Sequence, residues 1–321
     1  MFLGVAFAVL IQTAILGTSA PHPHPHAPAL PAEVPTVPDP QLKYWTFTSA
    51  ITDEVYNIKV YTPSGKAPAG GFPVIYVLDG DNLFGTYSGA ERNRGGASEL
   101  QKAIVVGISG TEGPKGANRF YDFTPVDLTP DEKTFVVDAR PNDPHGGAEK
   151  FFQVIEREIK PRIAADASVD PNHQTLIGWS LGGQYVLHTL FNHPDAYETF
   201  IALSPSIWWG DRVLLKDEPA FLDRIKHDNL HPRIYIGVGE TEQTMSPDFL
   251  PGLKERDKFA KEIEYARMVD NVRDLSADLG SKNTSQNMTL QSKVYEGQSH
   301  NSMPWAAVND ALNFAEGIHR P

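Results

Sequence analysis

From Tyr44 onward, short apolar runs of strand length alternate with longer stretches whose apolar residues recur at helical spacing. The segments YWTFTSA and YNIKVYTP carry a period-two alternation and predict an early strand pair, the arrangement of a hairpin. FPVIYVLDG and KAIVVGIS are nearly continuous apolar runs, the pattern of parallel strands buried on both faces. AEKFFQVIEREIKPRIAAD predicts a helix with Phe151, Phe152, Ile155 and Ile159 on one face and charged residues opposite. There follow a strand (HQTLIGWS), a helix (LGGQYVLHTLFNHP) and two strands (TFIALSPS and PRIYIGVG). A long polar helix from about Lys254 to Leu279, a strand (TLQSKVYEG) and a last helix (SMPWAAVNDALNFAEGI) complete the pattern.

This β-α alternation predicts an α/β fold, a mostly parallel central sheet with helices on both faces. No internal repeat interrupts it. In such sheets ligands gather at the carboxyl ends of the strands, so the residues directly after each strand are the candidates for chemistry.

Ser180 stands directly after one strand and before a helix, inside Gly178-Trp-Ser-Leu-Gly-Gly183. A Gly-X-Ser-X-Gly reversal needs small residues on either side of the serine, because a side chain there would strike the neighbouring strand or helix. Gly178 and Gly182 meet that demand, and Gly183 eases close packing of the helix. The same turn places the Leu181 N–H at a helix N-terminus, where it can stabilise an oxyanion. A strand–turn–helix connection with an incidental serine is the plain alternative. A phosphate loop fits less well, since neither a Gly-X-Gly start nor Gly-Lys-Ser/Thr is present.

A nucleophilic serine needs a base, expected after the last strand. His300 lies there, between the last strand and the last helix. The acid is expected after the penultimate strand, where Glu242 completes a Gly-X-X-acid turn and Glu240 stands in reserve. The second oxyanion amide is expected after VIYVLDG, at the N–H of Asp81. Nucleophile, acid and base then run in the order Ser, Glu, His, each just past a strand end.

Composition bounds the alternatives. The chain has 321 residues, 40% hydrophobic, enough for one large core. Its formal charge of −12 argues against binding nucleic acid or an anionic membrane surface. With no cysteine, disulfides, thiolate zinc sites and a thiol nucleophile are excluded.

Residues 1–20 are apolar and end in small residues, the pattern of a signal peptide, although the segment lacks an early Lys or Arg; a retained membrane anchor is the alternative. Residues 21–40 form a Pro/His-rich linker, read as an extended spacer; His22, His24 and His26 offer metal donors but no folded surround. The catalytic domain is expected over residues 41–321 and the mature protein in a secreted or periplasmic setting. Asn283 and Asn287 open glycosylation sequons.

The stretches YVLDGDNLF, RFYDFTP, GWSLGGQY, SPSIWW, VGETE and EGQSHNSMP together resemble the esterase branch of the α/β-hydrolases, over about residues 41–318. That branch includes feruloyl esterases, S-formylglutathione hydrolase and mycolyltransferases, and the nearest subgroup is the IroE-type siderophore trilactone esterases. The resemblance implies an α/β-hydrolase fold without a large lid, no cofactor and no metal, and a small-molecule ester substrate such as a siderophore. It carries Ser180 to the nucleophile, His300 to the base, and Asp81 and Leu181 to the oxyanion amides. Glu242 matches the acid, which some siderophore esterases are thought to do without. Trp208 and Trp209 match aromatic residues near the pocket, with core packing as the competing reading. Arg119 matches a position that can face an anionic catecholate and is a substrate-binding candidate; a scaffold pair with Asp122 is the slightly favoured alternative. The sequence departs from the family at Trp179, where His is frequent, and its acidity leaves no basic bowl for a ferric-siderophore trianion. Feruloyl, acetyl or short-acyl esters are the alternative substrates. A catalytically silent binding protein is disfavoured, because such proteins usually lose the serine or the histidine.

Overall fold

The computed structural model describes residues 38–111, 116–125, 144–244, 256–283 and 286–317, with backbone only for 256–259. The expected signal peptide and nearly all of the linker lie outside the described residues. Eight strands form one sheet in the order β1-β2-β4-β3-β5-β6-β7-β8. β1 (Leu42–Thr48) and β2 (Val55–Tyr61) are antiparallel to each other, and β2 is antiparallel to β4 (Ile104–Gly110). From β4 the sheet is parallel through β3 (Phe72–Leu78), β5 (Val169–Trp179), β6 (Thr199–Leu203), β7 (Arg233–Gly239) and β8 (Thr289–Tyr295). This is the α/β-hydrolase architecture, and no lid domain stands on it among the described residues.

The alternation of side chains along each central strand divides the core in two. Val74, Tyr76 and Leu78 join one cluster, Ile75 and Val77 the other. The first is covered by α2 (Arg119–Phe123), α3 (Ala148–Val154), α4 (Lys160–Asp166), α5 (Leu181–Asn192), α6 (Glu218–His227) and α8 (Met268–Lys282). The second is covered by α1 (Gly80–Gly96), α9 (Met303–Ala306) and α10 (Val308–Glu316). Both faces of the central strands are thus removed from water, as continuous apolar strands require. Parallel register then sets the strand ends on one edge of the sheet: Trp179 is level with Leu203, Leu203 with Gly237, and Gly239 with Tyr295.

Three local outcomes differ from the sequence pattern. The 17-residue helix α1 is not announced by apolar periodicity; its buried Leu83, Phe84 and Tyr87 are followed by glycines and polar residues. The helix expected from Lys254 to Leu279 is two, α7 (Arg256–Ala266) and α8, because Arg267 takes φ 42°. Asn271 holds the break by donating to the Ala266 carbonyl at 3.0 Å. The predicted helix around Phe151 contains a π turn, Ile155–Ile159, between α3 and α4. Pro161, at the start of α4, has no N–H to give the preceding turn, which accounts for the change of register there.

Glu91 of α1 is fully buried beneath this helix and accepts the Ala103 N–H at 2.8 Å. Burial pushes its carboxyl up from 4.5 to about 7. The folded chain therefore holds a proton between pH 4.5 and 7 that the unfolded chain releases, so stability falls as pH rises through that window. Glu91→Gln is expected to be near neutral below pH 4.5. Above pH 7 it should stabilise by about 3 kcal/mol, read from urea denaturation at both limits.

Candidate active site

Ser180 connects β5 to α5 with φ 61° and ψ −121°, a backbone conformation rarely tolerated outside glycine. Its surroundings enforce it. The Ser180 N–H donates to the Leu203 carbonyl at 2.9 Å, and the Ser180 carbonyl accepts from Gln184 N (3.0 Å) and Ser206 N (3.1 Å). A Cβ on Gly178 would stand 2.2 Å from the Gly182 carbonyl oxygen, and one on Gly183 2.8 Å from that of Leu203. At Gly182 the nearest atom would be Asp79 Oδ2 at 3.3 Å, so Gly178 and Gly183 are the positions of closest backbone approach.

Ser180 Oγ lies 3.0 Å from His300 Nε2, across 120 residues of sequence. His300 Nδ1 is 2.6 Å from Glu242 Oε2. With Nδ1 donating to the carboxylate, Nε2 is left to accept the serine proton. Glu242, on the short turn after β7, has its side chain only 1% exposed. Its other oxygen, Oε1, accepts from Ser204 Oγ at 2.5 Å and from Gly239 N–H at 2.6 Å. A buried carboxylate that accepts from three donors is held in one orientation. Glu240, the reserve, is exposed and accepts the Gly297 N–H at 2.9 Å, away from the imidazole.

The oxyanion amides differ. The Leu181 N–H begins α5 and has no acceptor among the described residues. The Asp81 N–H donates to Ser109 Oγ at 2.7 Å, so a carbonyl oxygen reaches this amide only by displacing that hydroxyl. The Asp81 carboxylate turns away to Lys59 at 2.7 Å and Asn57 at 2.9 Å.

Arg119 is a scaffold residue, but its partner is Asp79 and not the expected Asp122. Nε and Nη2 meet the two Asp79 oxygens at 2.6 and 3.0 Å, and Nη2 also donates to the Trp179 carbonyl at 3.2 Å. Asp122 is buried and accepts the Tyr56 hydroxyl at 3.2 Å. Burial, with Glu54 beside it, holds its carboxyl well above the ordinary range. Trp209 is 4% exposed and packs on Phe120 and Trp208, the core packing that stood as its competing reading. Trp208 is half-buried against the same cluster. A cavity of about 510 Å³ opens beside the elbow, lined by Asn57, Asp81, Ser109, Arg119, Asp122 and Phe123. No group of three or more His, Asp or Glu side chains is placed to hold a metal among the described residues.

Three contacts were not read from sequence. Ser204 and Ser109 both stand at strand ends, where the rule that chemistry follows strands could have found them. Trp179 carries no such signal: its Nε1–H donates to the His300 carbonyl at 3.0 Å, and its ring lies 5.0 Å from the imidazole.

Comparison with known proteins identifies the family. Residues 49–301 match the family model described as putative esterase. The chain belongs to that family. It is 34% identical over 284 residues to the ferri-bacillibactin esterase BesA of Bacillus subtilis (strain 168), covering 87% of this chain and 90% of the relative. It is 32% identical to a siderophore triacetylfusarinine C esterase of Aspergillus fumigatus, covering 81% and 88%. Among solved structures, the BES protein from Bacillus cereus superposes with a TM-score of 0.74 at 28% identity, covering 89% of this chain and 100% of that one. Family and relatives support an ester-hydrolysing enzyme.

In this esterase the Trp179 bond to the His300 carbonyl fixes the loop that carries the imidazole. Trp179→Phe keeps a ring and removes the bond. It is expected to lower kcat about 2- to 10-fold with KM and melting temperature little changed, measured on p-nitrophenyl acetate.

Proposed function

We propose that the protein is a secreted serine esterase that opens siderophore ester or lactone bonds through an acyl-enzyme. The observation that carries the reading is the continuous chain from Ser180 Oγ to His300 to the buried Glu242, at 3.0 and 2.6 Å. In this mechanism Oγ attacks the ester carbonyl as its proton passes to His300 Nε2. The negative charge on the carbonyl oxygen is met by the Leu181 N–H and, once the Ser109 hydroxyl has given way, by the Asp81 N–H. Glu242 stabilises the imidazolium. Collapse breaks the carbon–oxygen bond, and the imidazolium returns its proton to the departing alcohol. Water, deprotonated by the same histidine, then attacks the acyl-serine; a carboxylic acid leaves and Ser180 regains its proton. The siderophore substrate is supported by what the two curated relatives act on, a bacillibactin complex and triacetylfusarinine C.

Ser180→Ala should abolish hydrolysis of both a siderophore trilactone and p-nitrophenyl acetate; equal rates for the variant and the parent would sink the mechanism. Glu242→Gln should lower kcat by about 10⁴-fold, whereas Glu240→Gln should leave it unchanged. An equal effect of the two substitutions would reject Glu242 as the acid. For secretion, N-terminal sequencing of protein recovered from medium should find a start near residue 21, and an intact Met1 would reject cleavage.

A further inference from the structure

The turn that leaves β6, residues 203–206, touches both ends of the catalytic chain. The Leu203 carbonyl accepts the Ser180 N–H at 2.9 Å, and the Ser206 N–H donates to the Ser180 carbonyl at 3.1 Å. Between them, Ser204 gives its hydroxyl to Glu242 Oε1 at 2.5 Å. One short turn thus holds the backbone of the nucleophile and the carboxylate of the acid.

Ser204 does this in a conformation that serine avoids. Its φ is 43°, in the left-handed region, and Pro205 follows, which restricts the backbone of the residue before it. Among the described residues other than glycine that have a positive φ, Ser204 alone is buried, with 0% of its surface exposed. Its N–H is fixed on the Gly237 carbonyl of β7 at 2.7 Å, so the turn is anchored on both neighbouring strands. Glycine adopts a left-handed φ without the clash that a Cβ brings. If the path of the chain were all that mattered, glycine would serve better at this position. What serine adds is a hydroxyl, and its acceptor is Glu242.

The carboxylate depends on that donor for its place in the sheet. Oε2 is committed to His300 Nδ1 at 2.6 Å, and Oε1 accepts the Gly239 N–H at 2.6 Å. Gly239 lies three residues before Glu242 and moves with the same turn. Ser204 is the donor that comes from another strand. Without it, the carboxylate is tied to its own turn and to the imidazole that it has to steer.

We propose that Ser204 is a positioning residue for ester hydrolysis: its hydroxyl registers the Glu242 carboxylate against the strand end that holds Ser180, and the strained turn is retained to deliver it. The proposal rests on the reading of Ser180, His300 and Glu242 as nucleophile, base and acid, and adds the residue that ties the first to the last.

The test uses Ser204→Gly and Ser204→Ala in the full chain, with p-nitrophenyl acetate as substrate. Both should lower kcat about 10-fold and change KM less than about 2-fold. Both lose the hydroxyl, but glycine alone relieves the left-handed φ, so Ser204→Gly should melt above Ser204→Ala and be no more active. A purely structural role would make activity follow melting temperature. In a Glu242→Gln background, Ser204→Ala should cost less than about 2-fold, because its effect runs through the carboxylate. A kcat restored to the parental value in Ser204→Gly, or the same loss in both backgrounds, overturns the assignment while the triad stands. Glu242→Gln as active as the parent overturns the triad and the assignment together. Unfolding of both Ser204 variants would make the residue a stability element and would also overturn it.

Discussion

The turn at Ser180 is the constraint on which the site depends. A left-handed φ at a serine costs conformational energy, of order 1–3 kcal/mol, and persists only where neighbours overdetermine it. Here two glycines remove the clashes, and β6 supplies the acceptor for the serine's own N–H. The reversal lifts Oγ out of the sheet and leaves the Leu181 amide free beside it. Relaxing the turn would return the hydroxyl to the level of the strand, away from the imidazole.

Everything that meets Oγ is positioned by the parallel register. β6 ends level with β5, and β7 and β8 end level with each other about one pleat further on, so the loops after them converge on one edge. Glu242 then becomes the hub: one oxygen orients His300 while the other closes its own turn and holds Ser204. Because this carboxylate is buried and fully donated to, the imidazole it steers has one orientation. Trp179 secures the same loop from the other side, through the backbone of His300. The nucleophile's neighbour in sequence thus positions the base.

Much of the fold was legible because parallel strands buried on both faces leave an unambiguous apolar signature. The central strands β3, β4, β6 and β7 follow it, and the outer pair β1 and β2 shows the period-two alternation instead. What escaped was structure without periodicity. The large apolar residues that α1 buries are Leu83, Phe84 and Tyr87, beside a buried carboxylate, Glu91, and its open face carries Gly85 and Gly89; no amphipathic pattern can announce such a helix. The break at Arg267 escaped for the opposite reason, since the apolar spacing continues through it while the backbone does not.

For the site, the sequence by itself determined which residues stand after strands: Ser180, Glu242, His300 and Asp81 can be read from order and local turn chemistry. It could not say what each side chain meets. That Glu242 rather than Glu240 faces the imidazole depends on which side of a short turn points inward. That Arg119 holds Asp79, that Trp209 is core, and that the Asp81 amide is given to Ser109 are facts of contacts between residues far apart in the chain. Spacing along a chain fixes periodicity and order, whereas hydrogen-bond partners are fixed by distance in space. Only the folded sheet brings those distances within reach.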